Sequence, residues 1–253
     1  MKTILITGAS SGIGKACAAR FAKEGDIRLI LTARRADVLS ELQTELTKEG
    51  VEVVTYTVDV QDRKAVADMF ADLSSKKISV DVLINNAGLA LGLTHISKGD
   101  PDDWDTMIDT NVKGLLYMTQ CALKGMIEND SGHIVNVGSI AGKWAYANGA
   151  VYCASKAAVR FISDALRQEV VDKKIRVTNI QPGMTETNFS NVRFKGKTKK
   201  AESVYAGIEA LTGADLADAI AYAVLVPQNI QIAEMTIMPT HQASGGVVHR
   251  KES

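Results

Sequence analysis

Cysteine is scarce in this sequence: 253 residues carry only three, Cys17, Cys121 and Cys153, with no Cys-x-x-Cys spacing. A disulfide framework is excluded, and a reducing compartment, the cytoplasm, is the expectation. Histidine is equally sparse, with His95, His133, His241 and His249 scattered without metal-ligand spacing, so no metal site is expected. Net charge is absent too, because 29 Lys and Arg offset 29 Asp and Glu. That balance leaves no electrostatic footprint for nucleic acid or an anionic membrane. No run of about 18 apolar residues is long enough to span a bilayer, and Thr7 and Gly8 end the first apolar run well short of a signal-peptide core. With no proline-rich or serine-rich linker, repeat or low-complexity stretch, one domain over residues 1–253 is expected.

What is present is an ordinary globular composition, 46% hydrophobic and 23% charged, able to bury a large core. Short β-branched runs at 2–6, 28–32, 52–57, 81–84, 133–137, 176–181 and 234–238 alternate with longer segments of helical period. Seven strands separated by helices imply an α/β, doubly wound, seven-stranded parallel sheet of Rossmann type with helices on both faces. The long stretch without clear periodicity, 184–200, follows the sixth strand, where ligands sit in open α/β sheets. It reads as an irregular lid loop reaching to about 206, and residues 240–253 read as a C-terminal tail.

Two helical segments are apolar around more of their circumference than one sheet face requires. One carries Trp104, Met107, Ile108, Val112, Leu115, Leu116, Met118 and Leu123, the other Val151, Ala154, Ala157, Val159, Phe161, Ile162, Ala165, Leu166 and Val170. A surface helix needs only about a 100° apolar stripe. Deep core helices and a subunit interface are the two readings, and the interface is favoured.

Directly after the first strand comes Thr7-Gly8-Ala9-Ser10-Ser11-Gly12-Ile13-Gly14. Glycine permits a tight turn and close approach to a pyrophosphate, while the exposed amides of the following helix favour negative charge. Beyond the second strand an acid would accept from a free ribose 2′-hydroxyl, but the chain reads Thr32-Ala33-Arg34-Arg35. Forked guanidinium groups there suit a 2′-phosphate instead, so the cofactor is expected to be NADP. Asn85-Asn86-Ala87-Gly88 follows the fourth strand and Ser139 the fifth, and Tyr152 and Lys156 lie four apart on one helix face.

Together, Thr7 to Gly14, Asp59, Asn85 to Gly88, Asn111, Ser139, Tyr152, Lys156 and Pro182-Gly183-x-x-x-Thr187 resemble the short-chain dehydrogenase/reductase family along nearly the whole chain. Thr185 stands where an aliphatic residue is common in that family. Finer matches, at residues 86–92, 107–111, 189–196 and 248–250, resemble its NADP-dependent 3-hydroxy acid dehydrogenases of the serine dehydrogenase type. The resemblance implies a homotetramer oxidising the 3-hydroxyl of small acids such as serine, allo-threonine or 3-hydroxyisobutyrate. It also implies cofactor contacts from Gly8, Ser10, Ser11, Gly12, Ile13, Gly14, Arg34, Arg35, Asp59, Val60, Asn86, Ala87, Gly88, Tyr152, Lys156, Pro182, Gly183, Thr185 and Thr187.

The chemistry of those residues fits. Oxidising an alcohol requires removal of its hydroxyl proton, and a free tyrosine with pKa about 10 is mostly protonated at neutral pH. The Lys156 ammonium and oxidised nicotinamide would both favour tyrosinate, making Tyr152 the base. Ser139 would bond the substrate oxygen and Asn111 would extend a proton relay through water. Plainer roles exist: Asn111 satisfying helix backbone, Ser139 terminating a strand, Asp59 capping a helix. Arg193 on the lid is the expected carboxylate anchor, with Lys143 its competitor. Two rival functions are a carbonyl reductase for bulkier ketones, aldehydes or sugars and a catalytically silent NADP(H)-binding sensor.

Overall fold

The structure is a computed structural model and describes residues 1–251. Seven strands, β1 (Lys2–Thr7), β2 (Ile27–Ala33), β3 (Glu52–Thr57), β4 (Val82–Asn85), β5 (Gly132–Val137), β6 (Ile175–Pro182) and β7 (Glu234–Ile237), form one parallel sheet. Their order is β3-β2-β1-β4-β5-β6-β7, the doubly wound topology expected from the alternation of β-branched runs with helical segments. The chain reverses direction of travel between β1 and β4, which opens a crevice at the carboxyl ends of those strands.

Successive strand residues face opposite sides, and both sides are covered, so the strands read as continuous apolar runs. Ile4, Ile6, Leu29 and Leu31 pack with Phe21 of α1 (Gly12–Phe21), Leu39 and Leu42 of α2 (Ala36–Lys48) and Ile220 of α9 (Gly213–Leu225). Leu5, Ile30, Leu83 and Ile134 pack on the other side. Their partners are Val66 of α3 (Arg63–Ser75), Met118 of α5 (Leu115–Glu128) and Leu166 of α6 (Ala150–Glu169). Two buried polar residues on neighbouring strands are matched to partners. The Arg176 guanidinium donates to the carbonyls of Ala223 (3.1 Å) and Val224 (2.9 Å) at the end of α9, where unpaired helix carbonyls need donors. His133 Nε2 lies 2.8 Å from the Thr178 hydroxyl.

Between α4 (Pro101–Ile108) and α5 the helix continues without a break, but Asp109–Gly114 is wound as π-helix. Such wide turns concentrate at functional sites, and this one contains Asn111.

Beyond β6 the segment expected to form a lid is more ordered than an irregular loop. It holds two short helices, α7 (Phe189–Arg193) and α8 (Thr198–Ser203). With only five and six residues each, they are too short for a 3.6-residue period to register in the sequence. Arg193 carbonyl accepts from Gly92 N–H at 2.9 Å, and Lys195 Nζ lies 2.8 Å from Asp103 of α4. Across the tail, Gln242 and Val248 pair as an antiparallel bridge. Arg250 then donates to the carbonyls of Ala206 and Val204 at the far end of the lid. Glu252 and Ser253, the last residues of the expected tail, lie outside the described residues.

The two unusually apolar helices retain exposed apolar side chains, including Leu116 at 41% and Phe161 at 69%. The segments are therefore not wholly core. Among the described residues no helix is long and apolar enough to cross a membrane, and no group of three potential metal ligands gathers.

Candidate active site

The expected site residues converge on one cavity of about 870 Å³ at the carboxyl ends of the strands. It runs from the glycine turn and Arg34 and Arg35, past Asp59, Val60 and the segment Asn86 to Gly88, to Ser139, Tyr152 and Lys156, and on to Pro182, Gly183, Thr185, Thr187 and Arg193. Gly14 and Asn111 stand just behind this wall as buried supports.

The turn after β1 is built by glycine. Gly8 and Gly12 adopt φ of +65° and +54°, a region side chains rarely enter. A β-carbon on Gly14 would stand 2.5 Å from Asn86 Nδ2. That amide donates to the carbonyls of Thr7 (2.9 Å) and Gly8 (3.3 Å), while the Thr7 hydroxyl accepts from the N–H groups of Asn86 and Ala87. Ser11 makes no side-chain cap on α1, so the first N–H groups of that helix face the cavity unclaimed by a cap. An open helix N-terminus in a glycine cradle fits a pyrophosphate.

At the adenosine end the geometry also fits a phosphate. Arg35 leans onto the glycine turn, donating to Ser10 carbonyl (2.9 Å) and hydroxyl (3.1 Å), and Arg34 stands exposed, 3.9 Å from Asp59. Asp59 accepts from Gln61 N–H at 3.0 Å. The cap of α3 is Asp62, which accepts from the N–H groups of Lys64 and Ala65, so Asp59 is left facing the cavity.

At the chemical end, Tyr152 and Lys156 come from one face of α6, and both are buried. Burial pushes the Tyr152 phenol up to about 12, opposed by the Ser139 hydroxyl and by Arg193. Burial likewise lowers Lys156 to about 8. Lys156, expected to favour the ionised phenol from nearby, donates from its Nζ to the Val137 carbonyl at 2.8 Å. Ser139 lies two residues past the end of β5 and caps the short turn Ile140–Gly142, accepting from Ala141 N–H at 3.1 Å, and it lines the cavity beside Tyr152.

The Asn111 side chain is fully engaged. Its Oδ1 accepts from Leu89 N–H (2.9 Å), and its Nδ2 donates to Leu89 carbonyl (2.8 Å) and Ser155 hydroxyl (3.0 Å). It thus fastens the loop after β4 to α6, beside Gly88, whose notional β-carbon would lie 3.3 Å from Lys156 Nζ. Thr187 accepts from Phe189 N–H (3.2 Å) and Thr185 donates to Gly183 carbonyl (3.1 Å), so both stabilise the start of the lid.

Arg193 reaches into the cavity and donates to the Tyr146 hydroxyl at 2.6 Å. Lys143 points elsewhere, lying 3.5 Å from Glu234 and over the Trp144 ring. Nothing in the residue pattern points to Tyr146, which is 47 positions from its partner Arg193, nor to the cavity contact of Gln242 in the tail.

Comparison with known proteins bears on the family and the fold. The family model for short chain dehydrogenase matches residues 2–198. The NADP-dependent 3-hydroxy acid dehydrogenase of Schizosaccharomyces pombe is 44% identical over all of this chain and 98% of its own length. Sulfoacetaldehyde reductase 2 of Chromohalobacter salexigens is 43% identical over 95% of both chains. A solved closed form of serine dehydrogenase complexed with NADP⁺ superposes with a TM-score of 0.91 at 43% identity, covering 98% of this chain and 100% of that one. Sequence, sheet order and the company kept by Tyr152 and Lys156 thus lead to one assignment: the chain belongs to the short-chain dehydrogenase family.

Proposed function

We propose that the protein is an NADP-dependent oxidoreductase acting on the CH–OH group of a small 3-hydroxy acid, of the serine, allo-threonine or 3-hydroxyisobutyrate type, or on its oxo form. The observation that carries this reading is the position of the Arg193 guanidinium in the cavity beside Tyr152 and Ser139. A fixed cation next to a proton-transfer group suits a substrate whose anionic end lies a few bonds from its hydroxyl. The names borne by its close relatives support the same substrate class.

The glycine turn, Asp59 and Val60, Asn86 to Gly88, Pro182, Gly183, Thr185 and Thr187 would hold NADP, with Arg34 and Arg35 at its 2′-phosphate. When bound, the cofactor supplies the hydride acceptor or donor. Tyr152 takes the hydroxyl proton, and Ser139 holds the substrate oxygen as its charge changes. Lys156 supports the ionised phenol and holds the nicotinamide ribose. Asn111 fixes the loop and helix from which a relay to water would start. Arg193 anchors the carboxylate, which supplies the positioning contribution to rate.

Residues 184–206 serve as a lid and the described part of the tail, 240–251, steadies it, within one domain. The exposed apolar side chains on α5 and α6 support a subunit interface and, with the family resemblance, a homotetramer. The three free cysteines suit a cytoplasmic location.

The test is a screen of short hydroxy acids, their methyl esters, sulfoacetaldehyde and bulky ketones with both nicotinamide cofactors. Turnover of 3-hydroxy acids with NADP⁺, well above that of the esters, is expected. Preference for bulky uncharged carbonyls would favour a general carbonyl reductase, and inactivity throughout would favour a silent cofactor-binding protein.

A further inference from the structure

Arg193 touches more than the place a substrate would take. Its guanidinium carbon lies 4.9 Å from the centre of the Tyr152 ring, 5.4 Å from that of Phe189 and 5.8 Å from that of Tyr146. Its Nε is buried without a hydrogen-bond partner among the described residues. A half-buried guanidinium bordered by three rings is screened less on a neighbour than one in open water.

The groups facing Tyr152 come from four places. Cys153 and Lys156 share its helix, Ser139 follows β5, Tyr146 precedes α6, and Arg193 and Phe189 come from α7. None is a carboxylate. With Lys156 Nζ on the Val137 carbonyl, the cation set against the Tyr152 ring face is Arg193. An aromatic face carries negative potential, and ionising the phenol places further electron density in the ring. A cation at the face therefore attracts phenolate more strongly than phenol.

We propose that Arg193 assists ionisation of Tyr152 through contact with its ring face, so that the lid delivers a second cation to the proton-transfer site. This rests on the reading of Tyr152 as the proton acceptor. Arg193 acts through Tyr152 and is in this role a positioning residue. Tyr146 holds it there by its hydroxyl. Burial opposes ionisation of Tyr152, while Arg193 and Ser139 favour it. A consequence follows for the substrate: a carboxylate paired with Arg193 cancels part of that help, whereas an uncharged alcohol leaves it intact.

The experiment is the pH dependence of kcat/KM and of kcat for NADP⁺-linked oxidation of 3-hydroxyisobutyrate and its methyl ester. It is run with the unmodified protein and with Arg193→Met, Arg193→Lys and Tyr152→Phe. An opposite charge at such a distance shifts a pKa by about one to three units. The rising limb of Arg193→Met should therefore move up by about one unit or more with the ester, and Arg193→Lys should recover much of it. In the unmodified protein the kcat limb, which reports the substrate-bound site, should lie lower for the ester than for the acid, while the two kcat/KM limbs, which report the substrate-free site, coincide. In cofactor-free protein, the carbon-13 resonance of the Tyr152 Cζ, assigned by its loss in Tyr152→Phe, should start to ionise at higher pH in Arg193→Met.

An unmoved limb in Arg193→Met with KM raised only for the acid would overturn the proposal and leave Arg193 as an anchor. A uniform fall at every pH with no shift would overturn it in favour of lid folding. Turnover and a pH limb that survive Tyr152→Phe would overturn the underlying assignment of Tyr152, an outcome distinct from either.

Discussion

Lys195 Nζ lies 2.8 Å from Asp103 Oδ1 and 3.8 Å from Asp100 Oδ2, joining the lid to the first turn of α4. Lys195 itself holds a positive φ of +51°, so the backbone bends sharply where the side chain reaches across. The pair is exposed to solvent on the lysine side, and such pairs add little to global stability. Its effect should fall on the lid. Lys195→Ala is expected to raise KM by no more than about fivefold and to leave the melting temperature within the error of a thermal scan. Steady-state kinetics at low and high salt check this, because screening should reproduce the effect in the unmodified protein.

Cofactor choice is expected to follow Arg34 and Arg35. Charged hydrogen bonds contribute roughly 1.5 to 3 kcal/mol, about 10- to 150-fold in affinity. Arg34→Ala should therefore weaken NADPH by a factor in that range and barely change NADH. Dissociation constants from nicotinamide fluorescence for both cofactors decide it, and equal binding by the unmodified protein would refute the assignment.

Tyr152→Phe should lower turnover by about 10² to 10⁴-fold, the usual contribution of general acid-base catalysis, while NADPH binding persists. Because oxidation needs the phenolate and burial opposes its formation, oxidative turnover of the unmodified protein should climb with pH from neutral into the alkaline range, until Tyr152 in the NADP⁺ complex is ionised. A flat profile there would contradict it.

Acid stability should depend on His133. Burial, reinforced by Arg176 and Lys2, lowers its imidazole to about 3, whereas an unfolded chain takes up that proton near pH 6.5. Between those values the unfolded state binds the extra proton, so stability falls as pH drops through about 6.5 toward 3 and is level above that window. His133→Gln removes this component. Urea midpoints at pH 7 and pH 5 should therefore fall further for the unmodified protein than for the variant.

The strands were legible because both sheet faces are buried, which writes uninterrupted β-branched runs into the sequence; each run lies within two residues of its strand. The glycine turn and the Tyr152–Lys156 pair were legible because each is local, set by consecutive residues or by one helical turn. What was not legible depends on distant encounters. Tyr146 meets Arg193 only because the lid folds back over the start of α6. Arg250 reaches the lid only because the tail doubles on itself. The destination of Lys156 was hidden for a related reason: a carbonyl of β5 competes for its ammonium, and backbone acceptors leave no mark in the residue pattern.

The wide turn at Asp109–Gly114 also bears on which changes in chain length the protein can tolerate. A π-turn closes on the residue five along rather than four, so it holds one residue more than a turn of regular helix. Losing one residue here would tighten the turn to regular helix and leave Asp103 and α5 close to their present phase. Asn111, sitting in the loosened coil, would lose its alignment with Leu89 and Ser155. A one-residue deletion there should therefore spare expression and folding far more than activity, making this turn a frame-keeping joint between scaffold and chemistry.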